Sequence, residues 1–584
     1  MGGKKKGVYM SGLLKPFGNP PANGVKYFAT ALLLESVKDP AWLAKVTNAI
    51  HSFWRNKNSQ MLKEPTPGRP AKFRKLVPWV TWIATLLMPF MIGCRGLPKG
   101  ERAYSTAFTG TSGTTLSTAA QPRVAAHPGQ SGLHLLPDPR DAFAARLAMA
   151  DNAERSLDVQ YYIWKKDMVG KVLMERLYRA ADRGVRVRLL IDDLGTMAPD
   201  RVLRTIDSHP NIEVRLFNPA RLRAPRLLGV VLDLKRLNRR MHNKSFIADG
   251  QVAIVGGRNI GDEYFGAHAD ANFADLDVAV IGPVVKEASE AFDLYWNHAA
   301  SVPIANLSRS KETPGQDAKS RTALATYLEG VKQSEYADAV RNSEFAQQLR
   351  QKAVKFQWGH ASIIRDHPDK VLTPSDQEKT HITPVLRDLA QRTRQELFLV
   401  SPYFVPGKTG VKLLSDLTHR GVRVVVITSS LASTDGVPVH SIYKHSRKPL
   451  VEAGVELYEL QPTPSARQKR RLGGSSGASL HAKTFAFDRQ TLFVGSYNLD
   501  PRSRRLNTEM GMVIDSPELA ATLPETVNPN LSHEAYRVQV ENKHLVWVTH
   551  KDGKEVRYTS EPEAGWWKRV KSTVYGWLPI EGLL

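Results

Sequence analysis

A single cysteine, Cys94, in 584 residues excludes an intrachain disulfide framework and any zinc site built on cysteine. Acidic residues are also scarce: 57 Asp and Glu face 81 Lys and Arg, for a formal charge of +24. Residues 1–75 alone hold 14 of those cations against 3 acids. Such a surface fits anionic partners, nucleic acid or acidic lipid, without choosing between them. Charge-free apolar sequence of membrane-spanning length occurs at one place, LVPWVTWIATLLMPFMIG (76–93). No convincing cluster of metal ligands stands out. The length leaves room for two to four domains with a sizeable core.

What is present is a repeated motif. Residues 481–498 read HAKTFAFDRQTLFVGSYN, that is H-x-K-x-x-x-x-D followed, after six residues, by G-S-x-N. Alternation of Phe485, Phe487, Leu492 and Val494 with smaller or polar residues predicts two short strands joined near Asp488. Side chains two apart on a strand share a face, so His481 and Lys483 point together while Asp488 falls on the other parity, at the turn. Gly495 lets backbone approach a bound group, and Asn498 adds an amide donor. Imidazole, ammonium and amide converging on one spot suit an oxyanion, phosphate first. MHNKSFIADGQVAIVGGRN (241–259) repeats the pattern through His242, Lys244, Asp249, Gly256 and Asn259, 239 residues earlier.

The flanks repeat too. RGVRVRLLIDD (183–193) answers RGVRVVVITSS (420–430), NIEVRLFNP (211–219) answers GVELYELQP (454–462), and SLDVQYYIW (156–164) answers ELFLVSPYFV (396–405). Each half therefore reads strand, helix, strand, short strand, then the motif hairpin. That is a duplicated α/β unit.

At these residues the chain resembles the phospholipase D superfamily, whose members pair two H-x-K-x-x-x-x-D motifs across a pseudo-twofold axis. NRRMHNKSF, VGGRNIGDEYFG, SGASLHAKTF and NLDPRSRRLNTEMG are similar to bacterial cardiolipin synthases. The resemblance covers roughly residues 134–584. It implies an α/β fold of two pseudo-symmetric α/β/α sandwich units with the active site at their interface. It also implies catalysis without a metal or cofactor, through a phosphohistidine.

A phosphodiester needs a nucleophile, a leaving-group acid and neutralisation of its non-bridging oxygens. The resemblance makes His242 the nucleophile and His481 the general acid and base, with Lys244, Lys483, Asn259 and Asn498 on the phosphoryl oxygens. Asp249 and Asp488 complete the motifs, but their parity marks them as turn-forming; Asp249-Gly250 is a hairpin signal in its own right. A reactive imidazole needs a carboxylate on its other nitrogen to fix the tautomer. Glu509, in NTEMGMVI, and Asp275, in FADLDVAVI, are the better orienters, each just downstream of its own motif, with Asp277 a substitute on the first side. Gly256, Gly495 and Ser496 complete the expected phosphate contacts. Gly257 departs from the serine common at that position in the family and carries no hydroxyl. The resemblance also places His440 and Tyr443 near the substrate.

Taken in order, residues 1–60 read as an extension, possible sequence upstream of a natural start at Met61. Residues 61–94 form an export signal, with Arg69, Lys72, Arg74 and Lys75 before the apolar run. Met91-Ile92-Gly93-Cys94 resembles a bacterial lipobox, making Cys94 a lipidation site; the alternative is an uncleaved signal anchor. Both leave the catalytic part beyond the membrane, in the periplasm. Residues 95–133 read as a flexible tether, 134–306 as the first unit, 307–375 as an insertion and 376–515 as the second unit. Residues 516–584 hold a hairpin turning at Asp552-Gly553 and a segment mixing Trp566, Trp567, Tyr575 and Trp577 with Lys568, Arg569 and Lys571, which suits a membrane interface or a packed helix equally.

The reaction the resemblance implies is cardiolipin synthesis by phosphatidyl transfer onto phosphatidylglycerol, with phosphatidylglycerol or phosphatidylethanolamine as donor. Phospholipids and an anionic membrane surface are the expected partners, and nucleic acid is not. The competing readings are a phospholipase D-type hydrolase, then a nuclease, then a non-catalytic scaffold.

Overall fold

The computed structural model describes Leu97 and residues 100–577, apart from 197, 224–228, 231–232, 269–271, 308–315, 375–377, 379–380 and 463–479. The extension, the apolar run and Cys94 lie outside the described residues.

The stretch expected to be a tether is built into the first unit instead. Helix α1 (Thr115–Ala125) starts at a Thr114 cap. The Ser105 and Ala107 amides donate to Asn297 and Asp293, at 3.1 and 2.8 Å. A Ser/Thr/Gly/Ala composition carries no sign of such docking, because the partners come from a distant helix.

The first unit runs β1 (Ser131–Leu136), α2 (Pro139–Asn152), β2 (Ser156–Tyr161), α3 (Met168–Asp182), β3 (Arg186–Asp192), β4 (Ile212–Phe217), β5 (Ser245–Ala248), β6 (Val252–Gly256), β7 (Asp277–Ile281), α4 (Pro283–Trp296) and β8 (Ser301–Pro303). β2, β3 and β4 pair in parallel, as expected of strands joined through crossover helices. β5 and β6 form the antiparallel motif hairpin, and β5 also pairs antiparallel with β2.

The second unit repeats this order strand for strand: β9 (Gln357–Arg365), α5 (Thr383–Arg392), β10 (Glu396–Val400), α6 (Gly407–His419), β11 (Arg423–Ser429), α7 (Val437–Glu452), β12 (Glu456–Leu460), β13 (Thr484–Phe487), β14 (Thr491–Gly495), β15 (Met510–Asp515), α8 (Pro517–Val527) and β16 (Ala535–Glu541). β9 falls inside the expected insertion, so the second unit begins near residue 357 and extends past 515. Its mixed sequence, QWGHASIIR, hides a strand with no clean apolar alternation. β9 pairs with β1 at its start and with β15 along the rest, joining the two sheets. The tail adds β17 (His544–Lys551) and β18 (Lys554–Tyr558), which turn at Asp552-Gly553, followed by helix α9 (Trp566–Gly576).

The buried residues form three clusters. One lies under α2 and α3, on the outer face of the first sheet. A second lies under α5, α6 and α7, outside the second sheet. The third takes the inner faces of both sheets together with α4 and α8, from Ile247, Val255 and Phe292 to Phe398, Val494 and Met512. This shared core fixes the halves against each other, with the two motif hairpins side by side.

Candidate active site

The residues before each histidine pair across the interface between the halves. Met241 bridges Thr508, and the His242 amide donates to the Thr508 carbonyl at 2.8 Å. That lays His242 beside the next residue, Glu509. Leu480 likewise bridges Ala274, and the His481 amide donates to the Ala274 carbonyl at 2.8 Å, beside Asp275. His242 Nδ1 therefore meets Glu509 Oε2 at 2.8 Å, and His481 Nδ1 meets Asp275 Oδ2 at 2.5 Å. Sequence order set each carboxylate downstream of its own motif, yet the pairs are crossed. A carboxylate acceptor requires a hydrogen on Nδ1, which leaves each Nε2 lone pair for chemistry.

The two carboxylates are supported differently. Ser496 Oγ donates to Glu509 Oε2 at 2.5 Å, and Ser503 Oγ donates to Oε1 at 2.7 Å. Ser496 is thus committed to the orienting carboxylate, a correction to its expected place on phosphate. At the matching position an ideal Cβ on Gly257 would stand 2.2 Å from Asp275 Oδ1, so the Asp275 carboxylate occupies the space a serine would need. Asp277 is no substitute orienter, because it pairs with Arg146 and Arg258 at 2.8 and 3.3 Å. Gly256 and Gly495 permit close strand contact: a Cβ there would meet Asp277 Oδ1 at 2.1 Å or the Met510 carbonyl at 2.5 Å.

Lys244 Nζ donates to the His242 carbonyl at 2.5 Å, and Lys483 Nζ to that of His481. The Asn259 amide donates to Tyr264 Oη at 3.0 Å, whereas Asn498 Oδ1 is buried with no partner among the described residues. Tyr162 stands edge-on to His242 at 5.0 Å, and Tyr264 and Phe273 flank His481 at 5.1 and 5.3 Å. These rings were not picked out from sequence, although Tyr264 lies inside VGGRNIGDEYFG, just as Ser503 lies inside NLDPRSRRLNTEMG.

Burial sets the electrostatics. It pushes His242 down to about 4, with Glu509 opposing and Lys244 adding to the fall. His481 is lowered by burial and then by Lys483. Burial alone would raise Glu509 and Asp275; the paired imidazoles and the nearby lysines outweigh it and hold both carboxylates below their ordinary range. Lys244 is lowered to about 7 and Lys483 to about 8, again chiefly by burial. The free site at neutral pH holds neutral imidazoles, ionised carboxylates and lysines whose charge an entering anion secures.

The motif aspartates sit far from this chemistry. Asp249 and Asp488 occupy the hairpin turns with φ of 54° and 52°. Six residues of extended chain separate each from its histidine, roughly 20 Å. Asp249 accepts the amides of Glu154, Arg155 and Ser156 at 3.1, 2.7 and 2.9 Å, and Asp488 accepts those of Arg394, Gln395 and Glu396 at 2.9, 2.6 and 3.0 Å. Each pins its hairpin to the start of the neighbouring strand. Asp249→Asn is accordingly expected to cost about 2 kcal/mol of stability, read by urea unfolding, with turnover per folded molecule near the parent's. An unchanged unfolding midpoint with a large loss of turnover would return Asp249 to the catalytic set.

His440 and Tyr443 are held in a charge network of their own. Both are buried on α7, where His440 Nε2 meets Arg447 at 2.8 Å and Tyr443 Oη donates to Glu459 at 2.9 Å. Their hydrogen bonds run to this network and not to the motif residues. His440, Glu459 and Glu561 have the side-chain types of a metal site. Arg447 fills their midst, with Glu459 and Glu561 each at 2.6 Å, so a guanidinium supplies the positive charge there.

Two motif-bearing halves, each orienting the other's histidine within one buried site, define an enzyme of the phospholipase D superfamily. The family model described as cardiolipin synthase, PLD-like domain, matches residues 147–296 and 386–528. Cardiolipin synthase C of Escherichia coli (strain K12) is 42% identical over 476 residues, covering 80% of this chain and 99% of that protein. Cardiolipin synthase B of the same organism is 24% identical over 462 residues, covering 76% and 90%. Phosphatidylserine synthase of Haemophilus influenzae Rd KW20 is a looser likeness, with a TM-score of 0.48, 15% identity, and 69% and 87% of the two chains covered. The chain belongs to the cardiolipin synthase, PLD-like family.

Proposed function

We propose that this chain makes cardiolipin by moving a phosphatidyl group onto the glycerol headgroup of phosphatidylglycerol. The reading is carried by a complete pair of motif sites in a chain 42% identical to a cardiolipin synthase along nearly that protein's whole length.

In the proposed sequence His242 Nε2 attacks the donor phosphorus and forms a P–N bond. The departing headgroup alcohol takes its proton from His481 Nε2. The acceptor's glycerol hydroxyl then returns a proton to His481, attacks the same phosphorus and releases His242. Protonated His481 is favoured once the anionic phosphodiester is bound, since a nearby negative charge raises an imidazole's pKa. Lys244 and Lys483 neutralise the non-bridging oxygens. The leaving alcohol is glycerol if the donor is phosphatidylglycerol, or ethanolamine if it is phosphatidylethanolamine.

The lysines must be charged to hold those oxygens, and their charge is lost as pH rises through about 7 for Lys244 and about 8 for Lys483. kcat/KM is therefore expected to fall across that window. A profile flat until about pH 10, the ordinary lysine range, would contradict this.

We place the site against a membrane. Among the described residues no helix is long and apolar enough to cross a bilayer. Helix α9 leaves Trp566, Trp567 and Val574 exposed, with Trp577 just beyond at 80% exposure. Lys568 ties α9 to the carbonyls of Ala432 and Thr434, at 3.0 and 2.8 Å. The next residue is Asp435, whose charge acts on Lys483. Rings and cations on one surface helix suit the headgroup layer. Lipidation of Cys94 and a periplasmic catalytic part complete the proposal.

Incubating the purified chain with phosphatidylglycerol vesicles, and separately with DNA, tests the reading. Cosedimentation with the vesicles and formation of cardiolipin are expected. DNA cleavage with no lipid product would overturn it.

A further inference from the structure

The two units differ where symmetry would make them alike. In the first, α2 and α3 pack directly on each other and on one cluster containing Phe143, Met149, Leu173 and Leu177. In the second, α5 and α6 stand apart, and a cleft of about 830 Å³ lies between them. Leu399, Phe485 and Phe487 floor it, while Leu386, Ala390 and Leu414 wall it. At its mouth stand Arg387 and Lys412, paired with Glu378 and Asp416 at 2.7 Å each, and the two cations Arg504 and Arg505.

The cleft reaches the loop that follows the second motif hairpin. Tyr497, Leu499 and Asp500 line it and bracket Asn498 of the G-S-x-N motif. Tyr497 Oη meets Thr383 Oγ1 of α5 at 3.0 Å, linking that wall to the motif. Asp500 accepts the amide of Ser503 at 2.7 Å, and Ser503 in turn holds Glu509.

We infer that this cleft takes an acyl chain of the phospholipid whose phosphate enters the site, an inference that rests on the proposed function. Its volume lies within the ~300–1,000 Å³ common for small-molecule sites. Apolar floor and walls favour methylenes, and Arg504 and Arg505 at the mouth favour an anionic headgroup above them. The cleft would thus hold a diacyl lipid and set its phosphate toward the histidines.

Photolabelling tests this without turnover. The purified full chain is mixed with vesicles containing phosphatidylglycerol that carries a diazirine near one chain end, irradiated, and its peptides are mapped. Adducts are expected within 383–391, 397–416 or 485–487. In Ala390→Trp, which fills the cleft, their yield should fall on the order of tenfold, the change expected when two chain methylenes stay in water. Thr409→Trp, at an exposed position of the mouth, should act in the same direction and serves if Ala390→Trp melts early. Adducts confined to other segments, or undiminished in folded variants, overturn the inference. Cardiolipin formation in the same vesicles separates the two claims. A chain that labels here but makes no cardiolipin sinks the functional reading alone; one that makes cardiolipin but labels elsewhere sinks the cleft alone.

Discussion

Replacing either histidine with alanine should lower phosphatidyl transfer by on the order of 10³-fold or more, because each supplies a bond-making or proton-moving step that water does not replace at that position. The chain should still fold in both variants. His242 and His481 are buried, but each contributes one paired nitrogen and no large apolar surface to the three clusters. Lipid turnover assayed beside a thermal melt makes the comparison. Near-wild-type turnover in either folded variant would remove that histidine from the mechanism.

The crossed carboxylates give the second large effect. Glu509→Gln and Asp275→Asn are each expected to depress turnover by on the order of 10²-fold, because the partner imidazole loses its fixed tautomer. They should differ in the step they slow. A donor with a nitrophenol leaving group departs without an acid. With it, Asp275→Asn, which disturbs His481, should accumulate a phosphohistidine at His242. Glu509→Gln, which disturbs His242 itself, should form that adduct slowly. Mass spectrometry of the quenched protein reads both. An adduct accumulating in Glu509→Gln but not in Asp275→Asn would reverse the pairing, and an adduct on His481 would reverse the roles.

These pairings mark where the sequence stops being readable. The motif hairpins were legible because their alternation has period two and their turns carry Asp249-Gly250 and Asp488, residues suited to positive φ. Glu509 and Asp275 were legible as orienters because the motif aspartates sit on the wrong parity. Which histidine each serves was not. It depends on the bridges Met241–Thr508 and Ala274–Leu480, contacts more than 200 residues apart in the chain. Ser496 shows the same limit in miniature: a hydroxyl in a phosphate motif reads as a phosphate ligand until the carboxylate beside it is seen. His440 and Tyr443 were placed near substrate by likeness, and the Arg447 charge network that buries them leaves no local pattern. β9 was missed because an edge-joining strand needs no apolar alternation.

Transfer, as opposed to hydrolysis, is the central claim, since one phosphohistidine serves either outcome and only the second acceptor differs. The proposed placement at the bilayer would give the lipid acceptor a high effective concentration, and the burial of His242 and His481 restricts competing water. The direct measurement is the lipid extract of cells that lack cardiolipin and express this chain. Cardiolipin appearing with the parent chain, and not with His242→Ala, is the predicted result. Phosphatidic acid accumulating with no cardiolipin, while His242→Ala gives neither, would contradict it.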